Sequence, residues 1–132
     1  MSTSSGIDGG IEGLRNGLIE VSSVIVGQVE QAVDAWETRN TELARTVIAG
    51  DDDVDARCAS LERMSFDLVL LQAPKAHDLR LIHSGLIISV ALERVGDLAV
   101  AIARRVEALE PSTPVPEVDA LIKRMEPRDR KS

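Results

Sequence analysis

A chain of 132 residues, 44% of them hydrophobic, has room for one domain with a real core, and an aromatic content of 2% means that this core is aliphatic. Such a composition favours packed helices over a sandwich or barrel. A formal net charge of −7 with a pI near 4.8 argues against nucleic acid as a partner, because gripping a phosphate backbone needs a basic surface, and the single cysteine, Cys58, excludes an internal disulfide and fits a reducing compartment.

Residues 1–10 are polar and glycine-rich, without the charged start and apolar run of a secretory signal, and are expected to form a loose arm. No apolar run approaches the ~20 residues that cross a bilayer, so a soluble, cytoplasmic protein is expected. From Ile11 to about Trp36 apolar residues recur in steps of three and four (Ile11, Leu14, Leu18, Val21, Ile25, Val29, Ala32, Trp36), which predicts a long amphipathic helix. Gly13, Gly17 and Gly27 each weaken its interior by about 1 kcal/mol relative to alanine. Either packing overcomes that cost or the glycines admit a close neighbour; the sequence leaves both readings open. Thr38-Arg39-Asn40 reads as a turn, with Asn40 as N-cap of a short helix through Ile48 and Gly50 as its terminating C′ glycine. Of Asp51, Asp52 and Asp53, one is expected to cap the next helix while the others favour its positive end. The competing reading, a metal loop, lacks the glycine and terminal glutamate of an EF-hand.

The second long helix is expected over Val54–Leu71, with Val54, Leu61, Met64, Leu68 and Leu71 on one stripe, stopping before Ala73 because a residue preceding proline avoids helical geometry. Pro74 separates it from a third helix whose first turn carries Asp78, facing the positive end of the helix dipole. Along this helix Leu81, Ile88, Leu92, Val95, Ala99, Ile102, Val106 and Leu109 form the expected core stripe. A second line, Leu79, Ile82, Leu86 and Val90, runs on in register into Glu93 and Asp97 and is expected to be uncovered, a surface suited to a homodimer. Four residues apart, Glu93 and Asp97 project side by side; against apolar surface they need a proton, a basic partner or a hard oxygen-seeking cation. On an exposed face they are simply a solvated pair beside Arg94.

The segment Pro74-Lys75-Ala76-His77-Asp78-Leu79-Arg80, followed on the same helix by Leu92-Glu93-Arg94-Val95-Gly96-Asp97, resembles the PhoU family of phosphate-signalling regulators. The resemblance extends more weakly over roughly residues 6–109, with Ala73 where the family carries glutamine. It implies an all-α fold, an antiparallel three-helix bundle forming one PhoU-like repeat over residues 11–110, preceded by the arm and followed at 111–132 by a proline-rich linker and a short helical segment around Val118, Leu121, Ile122 and Met125. It further implies a bound divalent or trivalent metal ion, iron or zinc, held by Glu93 and Asp97 together with a facing Glu-x-x-x-Asp motif. Aligned without a gap from Pro74, that motif falls on Cys58 and Glu62, so the candidate metal ligands are Glu93, Asp97, Glu62 and Cys58. Cys58 either ligates zinc as a thiolate or packs as a small buried hydrophobe, and Glu62 has a solvated-face reading of its own.

His77 and His83 have no ligand-like spacing to a cysteine or to each other, and no Ser/His/Asp set, phosphate loop or dinucleotide fingerprint is present. No catalytic set is thus expected, and the resemblance implies a non-enzymatic regulator. The resemblance implies contact with a phosphate ABC transporter and a sensor histidine kinase, with membrane reached only through these partners, and repression of the phosphate-starvation response. A metal-binding helical protein, or an inactive half-length member of the family, stands as the alternative.

Overall fold

The three-and-four spacing of apolar residues becomes helix along nearly the whole described chain. A computed structural model describes residues 3–109 and 116–125, as α1 (Thr3–Thr38), α2 (Thr41–Ala49), α3 (Asp51–Gln72), α4 (Ala76–Ala108) and α5 (Pro116–Met125). The long helices α1, α3 and α4 form the expected bundle. Leu68 and Leu61 of α3 press on Gly10 and Gly17 of α1, so these two helices run antiparallel, whereas Leu14 meets Gly85 and Ile25 meets Gly96, so α1 and α4 run parallel. The short α2 extends the line of α3 and packs on the C-terminal halves of α1 and α4.

Two apolar clusters fill the bundle. One joins Val21 and Ile25 of α1 to Val54, Cys58, Leu61 and Leu68 of α3 and Ile82 of α4. The other gathers Ala32, Val33 and Trp36 with Ala44 and Val47 of α2, Ala99, Ala103 and Val106 of α4, and Ile122 of α5. Arg39 leaves α1 in a left-handed conformation (φ 54°) with its guanidinium 4.4 Å from the Trp36 ring centroid, which closes this end with a cation–π contact.

Several local expectations hold. Asn40 is the N-cap of α2, its Oδ1 accepting from the Leu43 N–H at 3.0 Å. Ala73, unable to remain helical before Pro74, turns left-handed at φ 44°.

Others are corrected. Helix α1 begins at Thr3 rather than after residue 10, because Ile7 is buried as one more step of the stripe and Gly6 seats the α1 start against Gln72 at the end of α3. Gly50 stays right-handed (φ −78°, ψ −8°), not the left-handed C′ glycine expected, since α2 passes almost directly into α3. It is also the N-cap of α3, which leaves Asp51, Asp52 and Asp53 inside the first turn with no side-chain cap bond. At the helix start they act as charge on the dipole rather than as caps. Leu71 is 76% exposed, rotated off the stripe that Val54, Leu61 and Leu68 bury.

The largest correction concerns the N-terminal half of α4. The inward face is Ile82, Gly85, Ser89 and Gly96, while Leu81, Ile88 and Val95 of the expected core stripe are exposed. Small residues face inward because the helices approach closely: a Cβ on Gly85 would lie 3.2 Å from Leu14 Cδ2. The supposed uncovered line is accordingly split, with Ile82 buried, Leu86 partly buried, and Leu79 and Val90 exposed. From Ala99 to Val106 the predicted face and the buried face coincide. In α5, Ile122 is buried while Leu121 and Met125 are exposed. The proline-rich linker up to Val115, the side chain of Val118 and the tail from Glu126 lie outside the described residues.

Candidate functional site

The start of α3 and the middle of α4 lie side by side, and the register that pairs Val54 with Gly96 brings the first turn of α3 to Asp97. Carboxylate oxygens of Asp51, Asp55 and Asp97 lie within 4.8 Å of one another, the one such grouping of potential ligands among the described residues. Asp51 is partly buried, and desolvation first, then the charges of Asp55, Asp97 and Asp52, push its carboxyl above the usual range; Arg104 works in the opposite direction. Glu93, one turn before Asp97 on α4, is also pushed up, by desolvation and then by Asp55, Asp97, Glu62 and Asp51. Five carboxylates therefore share one face of the α3/α4 pair and act on each other.

Gln28 of α1 lies beneath this face. It is 6% exposed, its Oε1 accepts no hydrogen bond among the described residues, and its amide sits between Gly50 and Gly96, the residues preceding Asp51 and Asp97. A Cβ on Gly50 would come within 2.9 Å of its Nε2. Glycine at this position thus lets the α2–α3 junction rest on a buried amide.

The four ligands expected from the sequence occupy unlike surroundings. Asp97 joins the close triad. Glu93 is partly buried at its edge, and Glu62 is exposed on α3 near enough to raise Glu93. Cys58 is 2% exposed in the core, its thiol hydrogen-bonded with Ser89 and pushed up chiefly by burial, then by Glu93. A raised thiol pKa opposes the thiolate that metal ligation requires. Asp51 and Asp55 were missed as a pair, although Asp51-x-x-x-Asp55 has the spacing of Glu93-x-x-x-Asp97 and was legible as such. The charged neighbour Asp53 points elsewhere, bonding Arg57 Nε at 2.9 Å, and Arg57 also reaches Glu20 of α1 at 3.9 Å.

The donor set fits a hard cation. Three converging carboxylates are oxygen ligands of the kind such ions take, and a cation would relieve the repulsion that, after burial, raises Asp51 and Glu93.

Residues 18–106 match the family model described as the PhoU domain. The chain is 35% identical over 105 residues to the phosphate-specific transport system accessory protein PhoU homolog of Caulobacter vibrioides strain NA1000 / CB15N, covering 80% of this chain and 46% of that protein. It is 35% identical over 104 residues to the protein of the same name from Xylella fastidiosa strain Temecula1, covering 79% and 43%, and 33% identical over 105 residues to that of Aquifex aeolicus, covering 80% and 48%. The chain thus spans less than half the length of the curated relatives it matches. With a bundle of the expected architecture, an intact Glu93-Arg94-Val95-Gly96-Asp97 segment and a domain match over most of its length, this chain belongs to the PhoU family.

Proposed function

We propose that this chain is a non-enzymatic regulator of phosphate transport and phosphate-starvation signalling, acting in the cytoplasm by protein–protein contact with a phosphate ABC transporter and a sensor histidine kinase. The domain match over residues 18–106 carries this reading, and the names of the relatives as transport-system accessory proteins support its first half. No helix among the described residues is long and apolar enough to cross a membrane, so contact with a transporter would be made from its surface. The test is a pull-down of the tagged chain from phosphate-replete cells. Recovery of the transporter's ATPase subunit or of a histidine kinase supports the proposal, and recovery of neither overturns it.

A metal ion assists this role. Asp51, Asp55 and Asp97 would hold it, with Glu93 and Glu62 at the edge; its chemistry would be structural, pinning the start of α3 to the middle of α4. Of the expected set, Cys58 contributes least, for the reasons of burial given above. Iron or zinc added to chelator-treated protein should raise the melting temperature, and Asp97→Asn should abolish that rise.

Self-association uses a different face from the one the sequence suggested. A groove of about 610 Å³ between α1 and α4, lined by Ile11, Leu18, Ile19, Leu81 and Ile88, leaves aliphatic surface open that a second copy would cover. Sedimentation equilibrium at tens of micromolar should give a dimer mass for the wild type and a monomer mass for Ile88→Glu.

A further inference from the structure

The α3/α4 face has two halves of opposite character. Around Asp51 and Asp97 it is acidic. Toward the α3–α4 loop it turns apolar, with Phe66 60% exposed, Leu70 77% exposed, and Val69, Leu79 and Val90 also open to solvent. Helical spacing makes this one continuous strip: on α3 residues 51, 55, 62, 66 and 69 follow in steps of three, four and seven, and on α4 residues 79, 86, 90, 93 and 97 do the same. The antiparallel register, fixed where Cys58 meets Ser89 and Val54 meets Gly96, sets the two lines edge to edge. From Asp51 to Leu70 the strip is about 28 Å long at 1.5 Å per residue, the length of a helix of about 19 residues.

Two occupants are disfavoured by charge. A membrane with anionic headgroups would be repelled by the acidic half. A second copy of this chain, at net charge −7, is repelled overall, and its basic-ended helix α5, with Lys123 and Arg124, has 10 residues, about half the length of the strip. An exposed aliphatic and aromatic strip ending in carboxylates that repel one another calls for apolar anchors at one end and cationic side chains at the other.

We propose that the α3/α4 face is the docking site for an amphipathic helix of a partner protein, laid along the groove with its leucine-type anchors over Phe66, Val69 and Leu70 and its lysine- or arginine-bearing end against Asp51, Asp55, Glu93 and Asp97. The apolar half supplies affinity; the acidic half fixes direction and speeds encounter. A multivalent cation on the triad competes with the basic end of the incoming helix. The exposure, register and charge of this face hold whichever partner occupies it, so a failed pull-down with the phosphate machinery leaves it standing.

The test uses a fluorescein-labelled synthetic helix of 20 residues, with leucines along one face and lysines confined to one end, and a control with glutamate at each lysine. Anisotropy titration in metal-free buffer should show the lysine peptide binding at least tenfold more tightly, with affinity falling as salt rises. Phe66→Ser with Leu70→Ser should weaken it at least tenfold. Glu93→Gln with Asp97→Asn should narrow the gap between the two peptides. Val26→Ser, on an exposed position of α1, should change nothing. All these side chains are at least partly exposed, so the variants keep the fold, and circular dichroism verifies it. Equal binding of the two peptides, binding of neither at about 100 µM, or a loss caused by Val26→Ser but not by Phe66→Ser with Leu70→Ser would overturn the proposal.

Discussion

The two ends of the bundle are built from the same helices and differ in how they are covered. Around Trp36, four helices converge: α2 packs on the C-terminal halves of α1 and α4, α5 adds Ile122, and alanines at 32, 35, 44, 99 and 103 let them approach one indole. At the other end only α1, α3 and α4 remain, and their flanks carry Phe66, Leu70, Leu71, Leu79, Leu81, Ile87 and Ile88 in the open. The first end is a finished core, while the second has an inner seam of side chains and an outer coat of similar ones. A helix that is apolar on most sides belongs inside an assembly, so the open end is where partners are expected and the closed end is where stability is concentrated.

The largest test of that division is Trp36→Ala. Emptying the closed end should cost about 3–5 kcal/mol, a large share of the 5–15 kcal/mol typical of a domain, whereas Leu70→Ala at the open end should stay within about 0.5 kcal/mol. Denaturant unfolding of both measures the contrast, and similar costs would break it. Next in size is Asn40→Ala, which removes the cap seated at the closed end and should destabilise by about 1 kcal/mol, read in the same titration.

The smallest expected effect lies at the junction of the two ends. Burial and neighbouring carboxylates raise Glu93, so the folded state holds its proton more tightly than the unfolded chain does. Stability from this group is therefore greatest below the ordinary glutamate pKa and is lost as pH rises through that value and on through the raised one. In chelator, Glu93→Gln should melt slightly higher than wild type at neutral pH, and the gain should vanish in acid. A gain that persists at low pH, or a loss at neutral pH, would show that Glu93 is stabilised in the fold by something other than its proton.

The contrast between the ends also explains which features the sequence made legible. At the closed end the stripe Ala99, Val106 and the cap at Asn40 could be read directly, because only one face of each helix there is apolar. The N-terminal half of α4 is apolar on nearly every side, so periodicity favours the bulky stripe of Leu81 and Ile88. Close packing instead selects Gly85, Ser89 and Gly96. Counting large side chains does not register a contact made by the absence of one. The acidic site was half visible: Glu93 and Asp97 stood out by spacing, but Asp51 was absorbed into a run of three aspartates read as caps, which hid its equal spacing to Asp55.

The glycines of α1 set more than distance. Gly10 receives Leu68 and Gly17 receives Leu61, with Gly13 facing Met64 between them; a Cβ on Gly17 would sit 2.5 Å from Leu61 Cδ2. Notches and knobs alike recur every seven residues, and a straight helix of 3.6 residues per turn drifts by about 20° over each such interval. To keep both knobs seated, α1 and α3 must coil around each other with a left-handed wrap. Their sliding is then one-sided: a shift of four residues toward the C-terminus of α1 would drive Leu61 onto Val21 and Leu68 onto Leu14, whereas the opposite shift would carry them to Gly13 and Gly6, so the pair is indexed like a ratchet that blocks one direction.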